Sequence, residues 1–129
     1  MTPAGKTPQR RLGDWGERIA ATHLQAQGMV ITARNWHWVG GEIDLIALDG
    51  AELVFVEVKT RRGERFGTPE AALTPTKQAR LISGAQQYLL ENDIESDEWR
   101  IDLVAVALDS QGKLLRCTHW PGIVGAWQP

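Results

Sequence analysis

Residues Gly41–Arg62 read GEIDLIALDGAELVFVEVKTRR and place ionisable side chains inside two apolar runs. Glu42 and Asp44 interrupt the first run, and Glu57 and Lys59 interrupt the second. Val, Ile, Leu and Phe dominate both runs, which is typical of buried β-strands. Burying a charge is costly unless a partner or a metal ion compensates it. This stretch therefore predicts a functional site within a sheet.

Strand periodicity predicts where these side chains point. Successive side chains alternate between the two faces of a strand, so Glu57 and Lys59 share a face. The segment Asp49–Glu52 contains the Asp-Gly pair that is typical of a hairpin turn. A four-residue loop over this segment sets Asp44 opposite Glu57, whereas a two-residue loop sets Glu42 opposite Glu57. Either register places the Asp44, Glu57 and Lys59 side chains on one face.

Facing carboxylates on neighbouring strands repel each other when no cation lies between them. Cross-strand Cβ atoms are about 4.5–5.5 Å apart, and hard divalent cations prefer carboxylate oxygens and water as ligands. The sequence therefore predicts a site for Mg²⁺ or Mn²⁺ on Asp44 and Glu57, with Glu42 completing or supporting it.

An Asp on one strand and Glu-x-Lys on the next resemble the PD-(D/E)xK nuclease site. The order of four segments also resembles the YraN-like family of bacterial proteins. These segments are GDWGERIA at Gly13–Ala20, GEIDLIA at Gly41–Ala47, FVEVKTR at Phe55–Arg61 and RIDLVAV at Arg100–Val106. The resemblance spans roughly residues 11–108, and the four segments together are specific for the family. It implies a fold like that of Holliday junction resolvases and restriction endonucleases, and an ancestry of nucleic-acid cleavage.

The resemblance also implies a role for Glu17. In Holliday junction resolvase-like nucleases a glutamate on the first helix completes the metal site, and Gly16-Glu17 matches that position. The first helix is predicted over Arg11–Gln27, with Glu17 at the margin of its apolar face. The alternative is a solvent-exposed glutamate. Lys59 is the residue expected to orient the attacking water or to stabilise charge on the phosphorane.

Four basic side chains are candidates for contact with phosphate. Arg61 and Arg62 directly follow the predicted site, and Lys77 and Arg80 lie near the start of a second helix predicted from Pro75 to about Leu90. A lysine near a helix start is unfavourable for the helix dipole, which favours phosphate contact. The alternative for each of the four is a solvated side chain.

The net charge of −2 argues against a strongly electrostatic nucleic-acid binder. Five acidic residues are concentrated in the segment 91–98, however, and leaving them out turns the net charge from −2 to +3. The net charge alone therefore neither supports nor excludes nucleic-acid binding. The partner that we expect is a nucleic acid, DNA or RNA.

The whole chain has the length and composition of one domain. It has 129 residues, of which 43% are hydrophobic and 23% charged, which is ordinary for a globular protein. The element order α-β-β-β-α-β-β predicts an α/β single domain with a mixed central sheet flanked by helices, restriction endonuclease-like in type. Residues 1–10 are predicted as a mobile arm and 11–120 as the nuclease-like domain. Residues 121–129 are predicted as an apolar tail that packs either on the domain or on a second copy, and the second possibility predicts a homodimer.

No apolar run in the sequence approaches the length of a membrane-spanning helix, and the first residues lack the apolar core of a signal peptide. We therefore expect a cytoplasmic protein with no membrane partner.

Other polar and aromatic residues carry weaker predictions. The segment Asn35–Gly41 is predicted as a loop whose two tryptophans either stack on bases or cap the core. Arg100 and Asp102 share a strand face and predict an internal salt bridge. His23 lies on the apolar side of the first helix, where a packed core histidine is favoured over a ligand.

Three hypotheses follow from the sequence. The first is a metal-dependent endonuclease that hydrolyses phosphodiester bonds, with Asp44, Glu57, Lys59 and Glu17 as its catalytic residues. The second is a nucleic-acid-binding module with little or no cleavage. The third is a structural or interaction domain in which Lys59, Glu57 and Asp44 form a buried salt-bridge network. The complete motif favours the first hypothesis, and the acidic net charge favours the last.

Overall fold

A five-stranded mixed sheet forms the centre of the protein, whose computed structural model describes residues 7–63, 67 and 69–124. The helices are α1 (Pro8–Ala26), α2 (Pro69–Ala72) and α3 (Pro75–Glu91). The strands are β1 (Val30–Trp38), β2 (Gly41–Asp49), β3 (Glu52–Arg62), β4 (Trp99–Leu108) and β5 (Leu114–Trp120). They are ordered β1-β2-β3-β4-β5, parallel between β3 and β4 and antiparallel elsewhere. The predicted α/β class and mixed sheet are confirmed, and the architecture is consistent with a restriction endonuclease-like fold. The element order matches the predicted α-β-β-β-α-β-β except for the additional short helix α2.

The helix α1 covers one face of the sheet. Ala20, Ala21 and Leu24 of α1 are buried against a layer of aliphatic side chains that includes Leu45 and Val56. Small residues on the buried side of α1 keep the helix close to the strands. This face is called the α1 face below.

The helix α3 covers the opposite face, called the α3 face below. Its Leu81 and Ala85 pack on Ile46 and Phe55. Thr74 caps the helix by accepting a hydrogen bond from the Lys77 backbone N–H at 3.2 Å, as Thr-Pro at a helix start predicts. With a helix on each face, the central strands are buried on both sides, which explains their nearly continuous apolar sequence.

The β2–β3 hairpin has one of the two predicted registers. Leu48 pairs with Leu53, and Asp49 pairs with Glu52. Continuing this register sets Asp44 opposite Glu57.

The bounds of α1 and β1 differ from the predictions. The first helix begins at Pro8 instead of Arg11, because Thr7 caps it by accepting a hydrogen bond from the Arg10 N–H at 3.1 Å. Residues 8–10 therefore belong to α1 and not to an arm, and residues 1–6 lie outside the described part. The predicted loop before β2 is wrong for Asn35–Trp38, which continues β1. At the other end, residues 123 and 124 are buried in the α3 face core, and residues 125–129 lie outside the described part.

No helix among residues 7–63, 67 and 69–124 combines the length and the apolar character that a membrane crossing requires.

Candidate functional site

Asp44 lies where β2 and β3 separate. The β2–β3 ladder ends at the pair Leu45 and Val56, and beyond it the Val58 backbone N–H donates to Asp44 Oδ2 at 2.8 Å. Ile43 packs on the α3 face, whereas Leu45 packs on the α1 face, so the alternation of side chains is broken at Asp44. The Asp44 carboxyl group therefore lies between the strands and faces both sides of the sheet. Ideal strand alternation had predicted that it faces only one.

Glu57 and Lys59 project from β3 towards the α3 face. Their neighbours Val56 and Val58 pack on the α1 face, and alternation along the strand places Glu57 and Lys59 opposite them. The Glu57 and Asp44 carboxyl groups are close enough to share a hydrogen bond when one of them is protonated. The predicted association of Asp44, Glu57 and Lys59 is therefore present in the structure.

Glu17 approaches the same group from α1. A Cβ at Gly16 would lie 1.8 Å from Thr60 Oγ1, so glycine is required for the helix to lie this close to β3. Glu17 Oε2 accepts a hydrogen bond of 2.7 Å from Asn35 Nδ2. Asn35 has a φ of 50°, in the left-handed region that asparagine tolerates. Glu17 is half buried beside Asp44, and not the solvent-exposed glutamate of the alternative.

These three residues, called the acidic cluster below, hold their protons more tightly than usual. Burial is the main cause and raises the pKa of Glu17 to about 7, with a further increase from the Asp44 charge. Burial and the Glu57 charge raise the pKa of Asp44 to about 7. Burial also raises the pKa of Glu57, although the Lys59 charge opposes the change. Asp44 and Glu57 interact closely enough to titrate as a pair.

Glu42 is a fourth carboxyl group beside the cluster. Its Oε1 atom is buried and has no hydrogen-bond partner in the described part of the chain. Arg10 Nη1 lies 3.9 Å from Glu42 Oε2, and His37 Nε2 lies 3.7 Å from Oε1. The negative charge of Glu42 contributes to the raised pKa of each member of the cluster.

Lys59 is the cation nearest to the cluster on β3. Burial and the adjacent Lys77 lower the pKa of Lys59 to about 8, and the Glu57 charge opposes this decrease. Within the ranges that the structure describes, no ion pair of 4.0 Å or less joins Lys59 to Asp44 or Glu57. The third hypothesis predicts such contacts, and it predicts lowered carboxyl pKa values instead of raised ones.

Carboxylate oxygens are the ligands that Mg²⁺ prefers, so Glu17, Asp44, Glu57 and Glu42 supply suitable atoms. Across residues 7–63, 67 and 69–124, no three acidic, histidine or cysteine side chains are already gathered tightly enough to hold a metal ion. Glu17 comes from the α1 face and Glu57 from the α3 face, with Asp44 between them.

Two of the four predicted phosphate-binding residues lie at the α3 side of the cluster. Lys77 in the first turn of α3 interacts electrostatically with both Glu57 and Lys59. Arg80 lies against the start of β2, where its Cδ atom is 3.1 Å from the position of a Cβ on Gly41. Lys77 therefore lies beside Glu57 and Lys59, and Arg80 lies beside Gly41 at the start of the strand that carries Asp44.

The other two candidates, Arg61 and Arg62, lie at the end of β3, and their side chains point in different directions. Arg61 remains beside Lys59, whose pKa its charge helps to lower. Arg62 Nη1 donates to the Ser110 carbonyl at 2.7 Å, so this guanidinium group is held at the β4–β5 connection. Arg65, the next arginine along the chain, lies outside the described residues.

Two clefts meet at Glu17. The first, of about 580 Å³, lies between α1 and β1 and is called the arginine cleft. It is lined by Arg10, Arg11, Asp14, Glu17, Arg18, Arg34, Asn35 and Leu45. The second, of about 530 Å³, is lined by Lys59, Arg61 and Arg62 among others. The arginine cleft has no local signal in the sequence, because its arginines are distributed over a helix and a strand that are separate in sequence.

The two tryptophans before β2 pack on the core, which is the second of the two roles predicted for them. Trp36 packs edge-to-face on Tyr88 with a ring centroid distance of 5.4 Å. The Trp38 indole lies against Gly84 of α3, and its Nε1 is buried without a hydrogen-bond partner in the described part. Neither ring is presented for base stacking.

His119 on β5 adds a polar contact that sequence periodicity does not predict. Its Nε2 lies 2.7 Å from Asp102 Oδ2, and Arg100 Nε donates to Asp102 Oδ1 at 2.9 Å. The predicted Arg100–Asp102 salt bridge is confirmed, and His119 completes it from β5. His23 lies beside this network, 6.5 Å from the His119 ring; it is partly buried, and its Nε2 lies 3.0 Å from Gln27 Nε2.

The fold and the acidic cluster with its lysine define a small α/β protein of restriction endonuclease-like architecture. The model of the uncharacterised protein family UPF0102 matches residues 16–106. A UPF0102 protein of Symbiobacterium thermophilum is 52% identical over 108 residues, which cover 84% of this chain and 91% of the relative. A UPF0102 protein of Roseiflexus castenholzii is 42% identical over 112 residues, covering 86% and 90% respectively. The chain belongs to UPF0102, the YraN-like family.

Proposed function

We propose that this protein is a metal-dependent endonuclease that hydrolyses phosphodiester bonds in a nucleic acid. The observation that carries the proposal is the acidic cluster itself: Glu17, Asp44 and Glu57 have raised pKa values, and the adjacent Lys59 has a lowered one. Such opposed shifts among neighbouring groups are typical of functional sites. A bound cation would supply the positive charge that these carboxyl groups lack within the protein.

The donor set fits Mg²⁺ or Mn²⁺. Asp44, Glu57 and Glu17 would hold the ion, and Glu42, whose buried Oε1 has no donor in the described part, would support it. When bound, a divalent ion lowers the pKa of water and neutralises phosphate oxygens. Binding also stabilises the ionised carboxylates and so removes the repulsion between them.

Lys59 provides a compact positive charge at the reacting phosphate. With a pKa of about 8, it is largely protonated at neutral pH. An ammonium group beside the phosphate stabilises the charge that develops on the phosphorane oxygens, or orients the attacking water. Lys77, Arg80 and Arg61 would bind neighbouring phosphates, and Arg62 would join them after leaving the Ser110 carbonyl.

A nucleic-acid-binding module without cleavage is the second candidate function. It is favoured by the approach of Glu17 and Glu57 from opposite faces of the sheet, and by the lack of a preassembled ligand group among the described residues. In both cases the partner is DNA or RNA, and the place of action that we propose is the cytoplasm.

The test is cleavage of end-labelled branched, single-stranded and duplex DNA and RNA with Mg²⁺, with Mn²⁺ and with EDTA. We expect cleavage only with a divalent ion, and a loss of at least about 100-fold in Glu57→Gln and in Lys59→Met, because both remove charge from the reacting centre. Glu95→Gln, the same change at an exposed acid distant in sequence from the cluster, is the matched control and should cleave normally.

Two results would contradict the endonuclease. Cleavage by the wild type in EDTA, or undiminished cleavage by Glu57→Gln, would mean that the activity comes from another site or from a contaminant. Binding of a nucleic acid without metal-dependent cleavage of any substrate would favour the second candidate.

A further inference from the structure

We infer that the arginine cleft binds the sugar-phosphate backbone of a nucleic-acid strand and leads that strand to the acidic cluster. The inference rests on the proposed function, because it names a second surface for the same substrate. It adds Arg11 and Arg34, with Arg10 and Arg18, to the basic residues at the other side of the cluster.

The charge balance of the cleft favours an anionic ligand. Four arginines line it against two carboxyl groups, those of Asp14 and Glu17. Arg10 interacts with Asp14 at 3.6 Å and with Glu42 at 3.9 Å. Arg11 and Arg34 are exposed, and neither makes an ion pair of 4.0 Å or less with a carboxylate in the described ranges. These two guanidinium groups therefore have unused hydrogen-bond donors directed at solvent.

The position of the arginines on α1 is unfavourable for the helix alone. Arg10 and Arg11 lie in or next to the first turn, and that turn contains no acidic residue. Cations at a helix N-terminus oppose the helix dipole. A local conflict of this kind is expected where function, and not stability, determines the residue.

Arg18 is held in place by an aromatic ring. Its guanidinium carbon lies 5.0 Å from the centroid of the Trp15 ring. Trp15 is fixed in turn by a 2.8 Å hydrogen bond from its Nε1 to the Gly112 carbonyl. Stacking leaves the edge of the guanidinium group available, and this edge matches the geometry of a phosphate.

The location of the cleft connects it to the proposed chemistry. Glu17 lines both the arginine cleft and the second cleft, which contains Lys59 and Arg61. Cationic side chains therefore line both of the clefts that meet at Glu17, as a chain of phosphates that crosses the acidic cluster requires. A small anion would use only one of these positions, whereas a nucleic-acid strand uses both.

The experiment measures the binding of fluorescent single-stranded DNA, single-stranded RNA and duplex DNA by anisotropy, in EDTA, at several salt concentrations. The cleft variant is Arg11→Gln/Arg34→Gln. The control is Lys113→Gln/Arg116→Gln, which removes the same charge near and on β5, at the opposite edge of the sheet from β1. All four positions are exposed, and thermal melts of the variants check that each is folded.

Loss of two phosphate contacts reduces the slope of log K against log salt by about 1.4 for a single strand or about 1.8 for a duplex. The same contacts correspond to a loss of affinity of about 25-fold to 60-fold at 0.1 M salt. We expect this loss in the cleft variant and little change in the control. EDTA separates the measurement from the metal, so the result does not depend on cleavage.

Equal affinity in wild type and cleft variant, or an equal loss in the control, would overturn the inference and leave the proposed function intact. Competition by polyglutamate at the same charge concentration would also overturn it, in favour of an acidic protein partner. A wild type that binds no nucleic acid in EDTA would overturn the inference, whereas the proposed function is decided separately by the cleavage test with Mg²⁺ and Mn²⁺. Selective loss in the cleft variant, in a protein that cleaves nothing, would support the inference and contradict only the endonuclease.

Discussion

Two aspartates in the same sheet, the fully buried Asp102 and the partly buried Asp44, have opposite electrostatic surroundings. Asp102 on β4 is fully buried and is surrounded by donors, with Arg100 and His119 on its two oxygens and the Gly122 N–H at 2.8 Å. Burial alone would raise the pKa of Asp102, but the hydrogen bonds from His119, Arg100 and Gly122 together lower it. The charge of this aspartate is compensated within the protein.

Asp44 on β2 lacks this compensation. It accepts one backbone hydrogen bond, from Val58, and its charged neighbours Glu17 and Glu57 are themselves acids. Its pKa is raised to about 7. A fully satisfied buried network stabilises a fold, whereas a partly satisfied one is retained for another reason. The comparison therefore separates a structural site around Asp102 from a candidate functional site around Asp44.

The largest effect is expected from Asp102→Asn. The substitution removes the charge that pairs with Arg100 and His119 while it keeps the shape of the side chain. Breaking a buried pair from one side costs on the order of 3–5 kcal/mol, because the remaining charge is uncompensated. Urea unfolding of the variant and the wild type gives this free energy directly. A loss below about 1 kcal/mol would mean that Glu52 and Asp49, which also pair with Arg100, are sufficient.

Asp44→Asn, the identical change at the other aspartate, should have the opposite sign. It removes a charge that its neighbours repel and keeps an oxygen that can accept the Val58 N–H. The metal-free variant should therefore be as stable as the wild type or more stable at pH above 7, where the wild-type carboxyl group is ionised. Mg²⁺ should raise the melting temperature of the wild type and leave that of the variant unchanged. A metal-free variant that melts far below the wild type would support the salt-bridge network.

The pH dependence of stability should also distinguish the two regions. Asp44 and Glu17 have folded pKa values of about 7, above their usual 3.8 and 4.5, so the folded state binds more protons than the unfolded state between these limits. Their ionisation therefore lowers stability as pH rises through about 5–7. Asp102 has a lowered pKa, so its contribution is present above pH about 4 and is lost only in acid. Melting temperatures in EDTA should fall from pH 5 to pH 7.5, and saturating Mg²⁺ should abolish the fall; a steady rise over this range in EDTA would be inconsistent with an uncompensated cluster.

The smallest expected effect is that of Lys77→Gln. This substitution removes the cation that helps to lower the pKa of Lys59, so that pKa should rise from about 8 towards 10.5. Stability should change by no more than about 0.5 kcal/mol, because Lys77 is at the surface end of α3. Titration of the Lys59 side chain by NMR measures the shift. An unchanged Lys59 pKa would place Lys77 further from the cluster than the structure does.

The fold was predictable because its signals are local. The Asp-Gly turn of the β2–β3 hairpin, the Thr74-Pro75 helix start and the apolar runs of β3 and β4 each depend on neighbours in sequence. The error at Asn35–Trp38 has a physical reason, since a residue with positive φ inside a strand looks like a loop in the sequence.

The acidic cluster was only partly predictable. Strand parity brought Glu57 and Lys59 together, but the broken alternation at Asp44 arises from the separation of two strands, which leaves no mark in the sequence. His119 reaches Asp102 across the β4–β5 pair, and the arginine cleft joins α1 to β1. These contacts depend on tertiary packing, and single-sequence periodicity contains no information about them.

The most direct test of the central claim is a calorimetric titration of the wild type with Mg²⁺ at pH 6.5, in two buffers with different ionisation enthalpies. If the acidic cluster is a cation site, binding should release protons, about one per ion, because a cation lowers carboxyl pKa values that start at about 7. Asp44→Asn should reduce both the affinity and the proton release. A wild type that shows no binding heat in either buffer, or that binds Mg²⁺ without releasing protons and equally well after Asp44→Asn, would contradict the account.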